Sequence, residues 1–309
     1  MDAVNKSISN RSSRPSAWFS LLRVDQYVKN LFVFLPPPFF AGRVMEPQIL
    51  GVVVPSFIAL SLLASGVYVF NDLRDIEEDR SHPIKCRRPL PSGEVSPGKA
   101  KVLSAGLFLT GFGLAALESL RIRSGELFLL FCAYVFLNVL YTCWLKRFSI
   151  LDVAIIGVGF VIRILLGAVS SAVLLSNWIV LMTFLLALFL GFGKRRDDLI
   201  ILNDEAVRIR KSAAGYSLAF LDAAMVMMGS IVVVAYIMYT VSPEVTARFG
   251  MDRLYLTTLF VLLGILRYLQ ITFIERNSGS PTRILLKDRF LMVVVAGWIS
   301  SFLLILYVK

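Results

Sequence analysis

Long apolar runs dominate the chain. Stretches such as Ile49–Phe70, Leu127–Leu145 and Val180–Phe192 carry almost no charge. A membrane helix needs about 20 mostly apolar residues. On that measure nine spans are predicted, over residues 27–42, 47–73, 100–119, 125–145, 149–170, 177–194, 216–240, 253–274 and 289–307. The strict apolar–polar alternation of barrel strands is absent, so helices are the expected spanning form, because backbone groups in lipid must bond within their own segment. The predicted architecture is an all-α membrane protein, with a polar N-terminal segment, 1–26, ahead of one transmembrane domain, 27–309. Residues Ala17–Asp25 mix Trp18, Phe19, Leu21 and Leu22 with Arg23. They read either as an amphipathic helix on the inner leaflet or as the lead into the first span. Pro36, Pro37 and Pro38 must distort that span, since proline lacks the helical donor.

Composition agrees. Of 309 residues, 57% are hydrophobic and 17% charged, against about a quarter charged in soluble domains. The polar first residues give no cleavable signal pattern. Cys86, Cys132 and Cys143 have no ligand spacing and suggest no disulfide framework.

The net charge of +11 would suggest nucleic acid in a soluble protein. Here topology explains it, and no nucleic-acid partner is expected. Of 32 Lys and Arg, 24 fall on one side, in the N-terminal segment and the loops around 74–101, 146–147, 194–211 and 276–289. The other side holds six: Arg43, Arg121, Arg123, Arg248, Arg253 and Lys309. Lys and Arg collect in cytoplasmic loops. The N-terminus and the long loops are therefore expected inside, in a cell-membrane protein, with Lys309 outside.

The densest chemistry is Asn71-Asp72-Leu73-Arg74-Asp75-Ile76-Glu77-Glu78-Asp79-Arg80, where the second span meets this basic side. On a continuing helix Asp72, Asp75 and Asp79 share a face, and Asn71 lies one turn from Asp75. Carboxylates converging on one point repel without a cation between them. Mg²⁺ takes one or two carboxylates and completes its shell with water and substrate phosphates. Such a face suits a Mg²⁺–diphosphate, and its ligands are expected among Asn71, Asp72, Asp75 and Asp79. Then come Ser81, His82, Pro83, Ile84, Lys85, Cys86, Arg87, Arg88 and Pro89. Arginine grips phosphate oxygens as a fork and lysine as a point charge. Asp72, Asp75, Lys85 and Arg88 are the expected catalytic set, with Arg74, Arg80 and Arg87 on substrate. The plainer reading is a solvated helix end followed by ordinary positive-inside charge; the density of acid and then base at a membrane boundary favours a site.

The NDxxDxxxD pattern followed by KxxRP resembles the first aspartate-rich motif of the UbiA prenyltransferase superfamily. That resemblance implies a nine-helix enzyme that uses Mg²⁺ to activate a diphosphate leaving group. The family's second motif resembles DxxxD at the end of the sixth span. Here Gly193-Lys194-Arg195-Arg196-Asp197-Asp198-Leu199 stands in that place, with adjacent acids after three bases. This departure weakens any second-metal role and supplies cations for further phosphate. GKRRDDL, together with Gln26-Tyr27-Val28-Lys29-Asn30-Leu31, resembles the decaprenyl-phosphate phosphoribosyltransferase branch. In that branch the donor is phosphoribosyl pyrophosphate and the acceptor a polyprenyl phosphate. The resemblance implies substrate contacts from Lys29, Asn30, Lys194, Arg195 and Asp198. Tyr141 and Lys146, near Asn138 and Asp152, resemble the family's Tyr and Lys at the fourth–fifth junction, and otherwise read as a belt aromatic and a positive-inside lysine. Arg163 lies well inside the fifth span, where charge costs about 2.5–3.5 kcal/mol on insertion scales. It is expected to face the substrate cavity or to pair with an acid such as Asp152. Arg267 reads as structural, and His82 as a loop residue.

The alternative enzyme reading is prenyl transfer from a prenyl diphosphate to an aromatic or small acceptor. A transporter would show paired halves with midplane breaks; no internal repeat is evident. A purely structural protein has no use for the acidic face. Chain length of the lipid and the number of copies, a homo-oligomer included, are left open by the sequence.

Overall fold

Pro47 sits in the first turn of a 28-residue helix, where its missing donor costs nothing. Pro97 does the same for the next long helix. The computed structural model describes residues 15–33, 46–81, 85–205, 215–249, 253–275 and 281–307. Its elements are α1 (Pro15–Leu22), a 3₁₀ stretch (Val24–Val33), α2 (Pro47–Arg74), α3 (Ile76–Arg80), a 3₁₀ turn (Lys85–Arg87), α4 (Pro97–Arg121), α5 (Gly125–Cys143), a 3₁₀ turn (Leu145–Arg147), α6 (Leu151–Ser171), α7 (Asn177–Glu205), α8 (Leu218–Thr240), α9 (Pro243–Phe249), a 3₁₀ turn (Leu254–Thr257), α10 (Thr258–Phe273), α11 (Pro281–Lys287) and α12 (Arg289–Tyr307). No strand occurs among the described residues.

Seven segments among the described residues are long and apolar enough to cross a membrane: α2, α4, α5, α6, α7, α8 and the stretch Leu254–Phe273. The protein is an all-helical, multi-pass membrane protein. Part of α12, Arg289–Ile305, is apolar but shorter. The predicted first span reaches the described residues only as the 3₁₀ stretch to Val33; the three prolines and His82 lie outside them. Nine spans therefore stay an expectation, met in length and composition by seven.

Two helices differ from the pattern predicted. Hydropathy ends the sixth span near 194, yet α7 runs to Glu205. No glycine or proline interrupts residues 194–205, and Arg195 bonds Asp198 one turn on, so the helix outlasts its apolar stretch. The acidic run does not continue α2. Asp75, at φ −98° and ψ 8°, caps α2, and a new helix begins at Ile76. A helix C-terminus disfavours carboxylates and an N-terminus favours them. The break moves Glu77, Glu78 and Asp79 into the first turn of α3.

The chain divides into two compact units. The first comprises 1–39, 43–143 and 165–173. In it α2 and α4 pack closely because small residues meet large ones. A Cβ on Gly111 would lie 2.8 Å from Leu63, and one on Gly66 would lie 3.2 Å from Phe108. Its motif end is closed by a core of Ala17, Leu21, Val69, Leu90, Val95, Ala100 and Leu107. So α1 seats Ala17 and Leu21 on protein, while Phe19 stays exposed.

The second unit comprises 40–42, 144–164 and 174–309. Its core gathers Val153, Phe189, Phe192, Tyr216, Leu221, Met225, Tyr268 and Leu291. Gly191 lets α7 approach α6: a Cβ there would lie 2.5 Å from Val153. In both units large apolar side chains such as Leu109, Leu129 and Val293 point outward, as lipid-facing positions do.

Candidate functional site

In the first unit, Asp72 occupies the last turn of α2 and Asp79 lies on α3. They are 2% and 3% exposed. Buried charge needs partners, and the basic loop supplies them. Arg88 Nη1 donates to Asp79 Oδ2 at 2.7 Å and to Asp72 Oδ1 at 3.3 Å. Lys85 Nζ lies 4.0 Å from Asp79 Oδ1. Arg23 Nη2 donates to Asp72 Oδ1 at 2.6 Å. The restart of the helix thus still brings Asp72 and Asp79 together, across Arg88. Asn71 and Asp75 are half-buried at the break, where the Asp75 amide donates to the Asn71 carbonyl at 3.0 Å. Arg74, Arg80 and Arg87 are exposed, and Arg80 bonds Glu77 at 2.7 Å.

Among the described residues no three His, Cys, Asp or Glu side chains form a metal cage. Mg²⁺ on a diphosphate does not require one, since it takes one or two carboxylates plus waters and phosphate oxygens. Two buried hard-oxygen donors, Asp72 and Asp79, flanked by Asn71 and Asp75, fit that ion.

Asn30 is buried in the first unit and donates to Ser61 Oγ at 3.0 Å; Lys29 is half-buried beside it. Tyr141 is half-buried on α5, and Asn138 donates to the Tyr134 carbonyl.

The second unit holds a different constellation. Arg195 is buried on α7, with Nε donating to Asp152 Oδ2 at 2.6 Å and Nη1 to Asp198 Oδ2 at 2.9 Å. Asp152, fully buried in the first turn of α6, also accepts from Tyr216 at 2.7 Å. Burial, then the bond to Asp152, pushes the Tyr216 phenol up from its ordinary value. Arg196 donates to Asp222 at 2.6 Å and to the Thr272 carbonyl at 2.9 Å, over the Phe273 ring. Arg195 thus turns inward, whereas Lys194 is exposed and Asp198 half-buried. Lys146 is buried in its 3₁₀ turn.

Arg163 is buried, donates to the Gly159 carbonyl at 2.9 Å and lies 5.0 Å over Phe160. Its expected pairing with Asp152 does not form. Eleven residues along one helix separate them by about 16 Å, and Arg195 takes the acid instead. Arg267 bonds Asp288 at 2.7 Å and Glu275 at 3.0 Å, in keeping with a structural role.

The sequence matches the UbiA prenyltransferase family over residues 36–294. The chain belongs to that family. Similar relatives of this UbiA family member include a decaprenyl-phosphate phosphoribosyltransferase of Mycolicibacterium smegmatis, 30% identical over 93% of this chain and 91% of that protein. Another, of the same name in Corynebacterium glutamicum, is 27% identical over 93% of this chain and 86% of its own. Among solved structures, a UbiA homologue from Archaeoglobus fulgidus, bound to GPP and Mg²⁺, shares the fold at a TM-score of 0.67. It is 17% identical and covers 94% of this chain and 99% of its own.

Sequence reasoning passed over three partners in this UbiA chain: Arg23, Tyr216 and Asp222. A signal for Arg23 existed. Ser61, Ser65, Tyr68 and Asp72 recur at helical spacing in an otherwise apolar span, a polar stripe that must be covered by something.

Proposed function

We propose that the protein transfers the 5-phosphoribosyl group of phosphoribosyl pyrophosphate to a polyprenyl phosphate of the decaprenyl type, releasing pyrophosphate. The observation that carries this reading is the pair Asp72 and Asp79, buried and bridged by Arg88 at the end of α2. It sits in a chain that resembles named phosphoribosyltransferases over nearly its whole length.

In this reading Asn71, Asp72, Asp75 and Asp79 hold Mg²⁺, which neutralises the diphosphate. Lys85 and Arg88 hold the diphosphate oxygens and offset the charge that builds as the sugar C1–O bond breaks. A polyprenyl-phosphate oxygen forms the new bond to C1. The acceptor is already an anion, so no proton has to move and no strong base is needed. Lys29, Asn30, Arg74, Arg80, Arg87, Tyr141, Lys146, Arg163, Lys194, Arg195 and Asp198 are proposed substrate contacts. The acid end of α2 faces the cytoplasm of an inner-membrane protein, as the Lys and Arg asymmetry favours, and residues 27–309 act as one domain.

Purified protein given Mg²⁺, labelled phosphoribosyl pyrophosphate and polyprenyl phosphate is expected to yield labelled lipid. Labelling only when a prenyl diphosphate and an aromatic acid replace them overturns the reading in favour of prenyl transfer. Asp72→Asn and Asp75→Asn are expected to abolish transfer; unchanged rates overturn the metal assignment.

A further inference from the structure

Arg23 belongs neither to the acidic motif nor to the basic loop, yet the chain is built to deliver it. The N-terminal segment is fastened along one stripe of α2. Asn30 bonds Ser61, Tyr27 bonds Ser65 at 2.9 Å, and Ser65 donates to the Leu22 carbonyl at 2.8 Å. One turn on, the Arg23 guanidinium lies 5.0 Å over the Tyr68 ring, and at the end of the stripe it meets Asp72. Between α1 and the 3₁₀ stretch, Arg23 takes a left-handed backbone, φ 52°. That conformation is strained for a non-glycine residue and persists where the surroundings impose it. Here Ala17, Leu21 and the Leu22 carbonyl seat α1 on one side of it, and the Tyr27–Ser65 bond holds the 3₁₀ stretch on the other.

The arrangement around Asp72 is a crowded one for binding. A single oxygen, Oδ1, accepts from both Arg23 and Arg88. A metal–diphosphate entering here must share or take that carboxylate, and the guanidinium it displaces needs an anion. The diphosphate brings several oxygens to the same place, and a planar guanidinium steadied on an aromatic face is suited to grip them in pairs. Arg23 is 24% exposed at the side chain where Asp72 is 3%, so it lies on the approach to the acid.

We propose that Arg23 is a diphosphate-binding residue of this site, held on Asp72 until the donor arrives and then transferred to the donor's phosphate oxygens. This rests on reading the acid cluster as a diphosphate site. The test uses the full-length protein in detergent and titrates inorganic pyrophosphate with Mg²⁺ by calorimetry. Arg23→Gln is expected to weaken that binding about tenfold or more. The KM for the diphosphate donor rises by a similar factor, and that for polyprenyl phosphate stays within about twofold. Arg23→Lys, which keeps the charge and loses the fork, recovers part of the loss. Mg²⁺ alone binds Arg23→Gln at least as tightly as wild type, because Asp72 is freed. Equal pyrophosphate affinity in wild type and Arg23→Gln overturns the proposal, as does a parallel loss toward both substrates with a lowered melting temperature. If Arg23→Gln does not fold, the same comparison is made on Arg23→Lys. A wild-type protein that binds no pyrophosphate overturns the diphosphate reading of the whole site, and Arg23 with it.

Discussion

Replacing Asp152 with leucine strands Arg195. The carboxylate is fully buried and the guanidinium 6% exposed, at 2.6 Å. Removing one member of such a pair costs about 3–5 kcal/mol, because a buried charge is left uncompensated. Asp198 does not rescue it. That bond is 2.9 Å, but its carboxylate is 42% exposed, and exposed pairs are worth about 1 kcal/mol or less. The apparent melting temperature of Asp152→Leu, read in detergent at one scan rate, is expected to fall by about 6–20 °C, taking roughly 2–4 °C per kcal/mol. Asp198→Ala is expected to cost a few degrees at most. The double variant Asp152→Leu, Arg195→Met removes both charges and regains at least half the loss, since apolar replacement of an entire buried pair is often near neutral. It stops short of full recovery because the Tyr216 hydroxyl also loses its acceptor. An Asp152→Leu variant no less stable than Asp198→Ala refutes the reasoning.

Arg88→Gln removes the cation that spans Asp72 and Asp79 and is expected to lower the transfer rate about 100-fold or more; Glu77→Gln, outside that bridge, leaves it within about twofold, both read as labelled lipid per minute. Tyr216 has a raised phenol pKa, so its neutral form is favoured by folding. The stability this adds is present below the ordinary value of 10.0 and is lost as pH rises above it. Melting temperatures of wild type and Tyr216→Phe measured from pH 8 to 11 are expected to keep a constant gap until about pH 10 and to converge beyond it. Gly191→Ala places a Cβ 2.5 Å from Val153 and is expected to destabilise by about 1–3 kcal/mol. Gly98→Ala, which meets nothing within 4 Å, is expected to be neutral or to gain up to about 1 kcal/mol in the same melting assay.

Much of the helical layout was legible because the bilayer imposes one strong rule on composition. Pro47–Arg74 and Leu218–Thr240 fall within a few residues of the hydropathy pattern. Where side-chain bonds rather than hydropathy set an end, as after Lys194 on α7, that rule is silent. The acidic motif stood out through density alone, and its two buried members are the ones the fold brings together. The choice of partners was not legible. Arg195 selects Asp152 across 43 residues and Arg23 selects Asp72 across 49. Charge pattern shows that a cation is present and says nothing of which anion it finds. Geometry alone excluded one pairing, Arg163 with Asp152, because both lie on one rigid helix.

The fastening of the N-terminal segment to α2 also bears on how the chain is made. Residues 22–30 leave the ribosome before α2, and four bonds of the stripe from Ser61 to Asp72 join these two neighbours. The seam is therefore complete as soon as α2 has emerged, ahead of Arg88 and of everything from residue 144 onward. A shortened chain that started at the first predicted span would keep the bonds to Ser61 and Ser65 but lose Arg23, leaving Asp72 without a cation until Arg88 emerges.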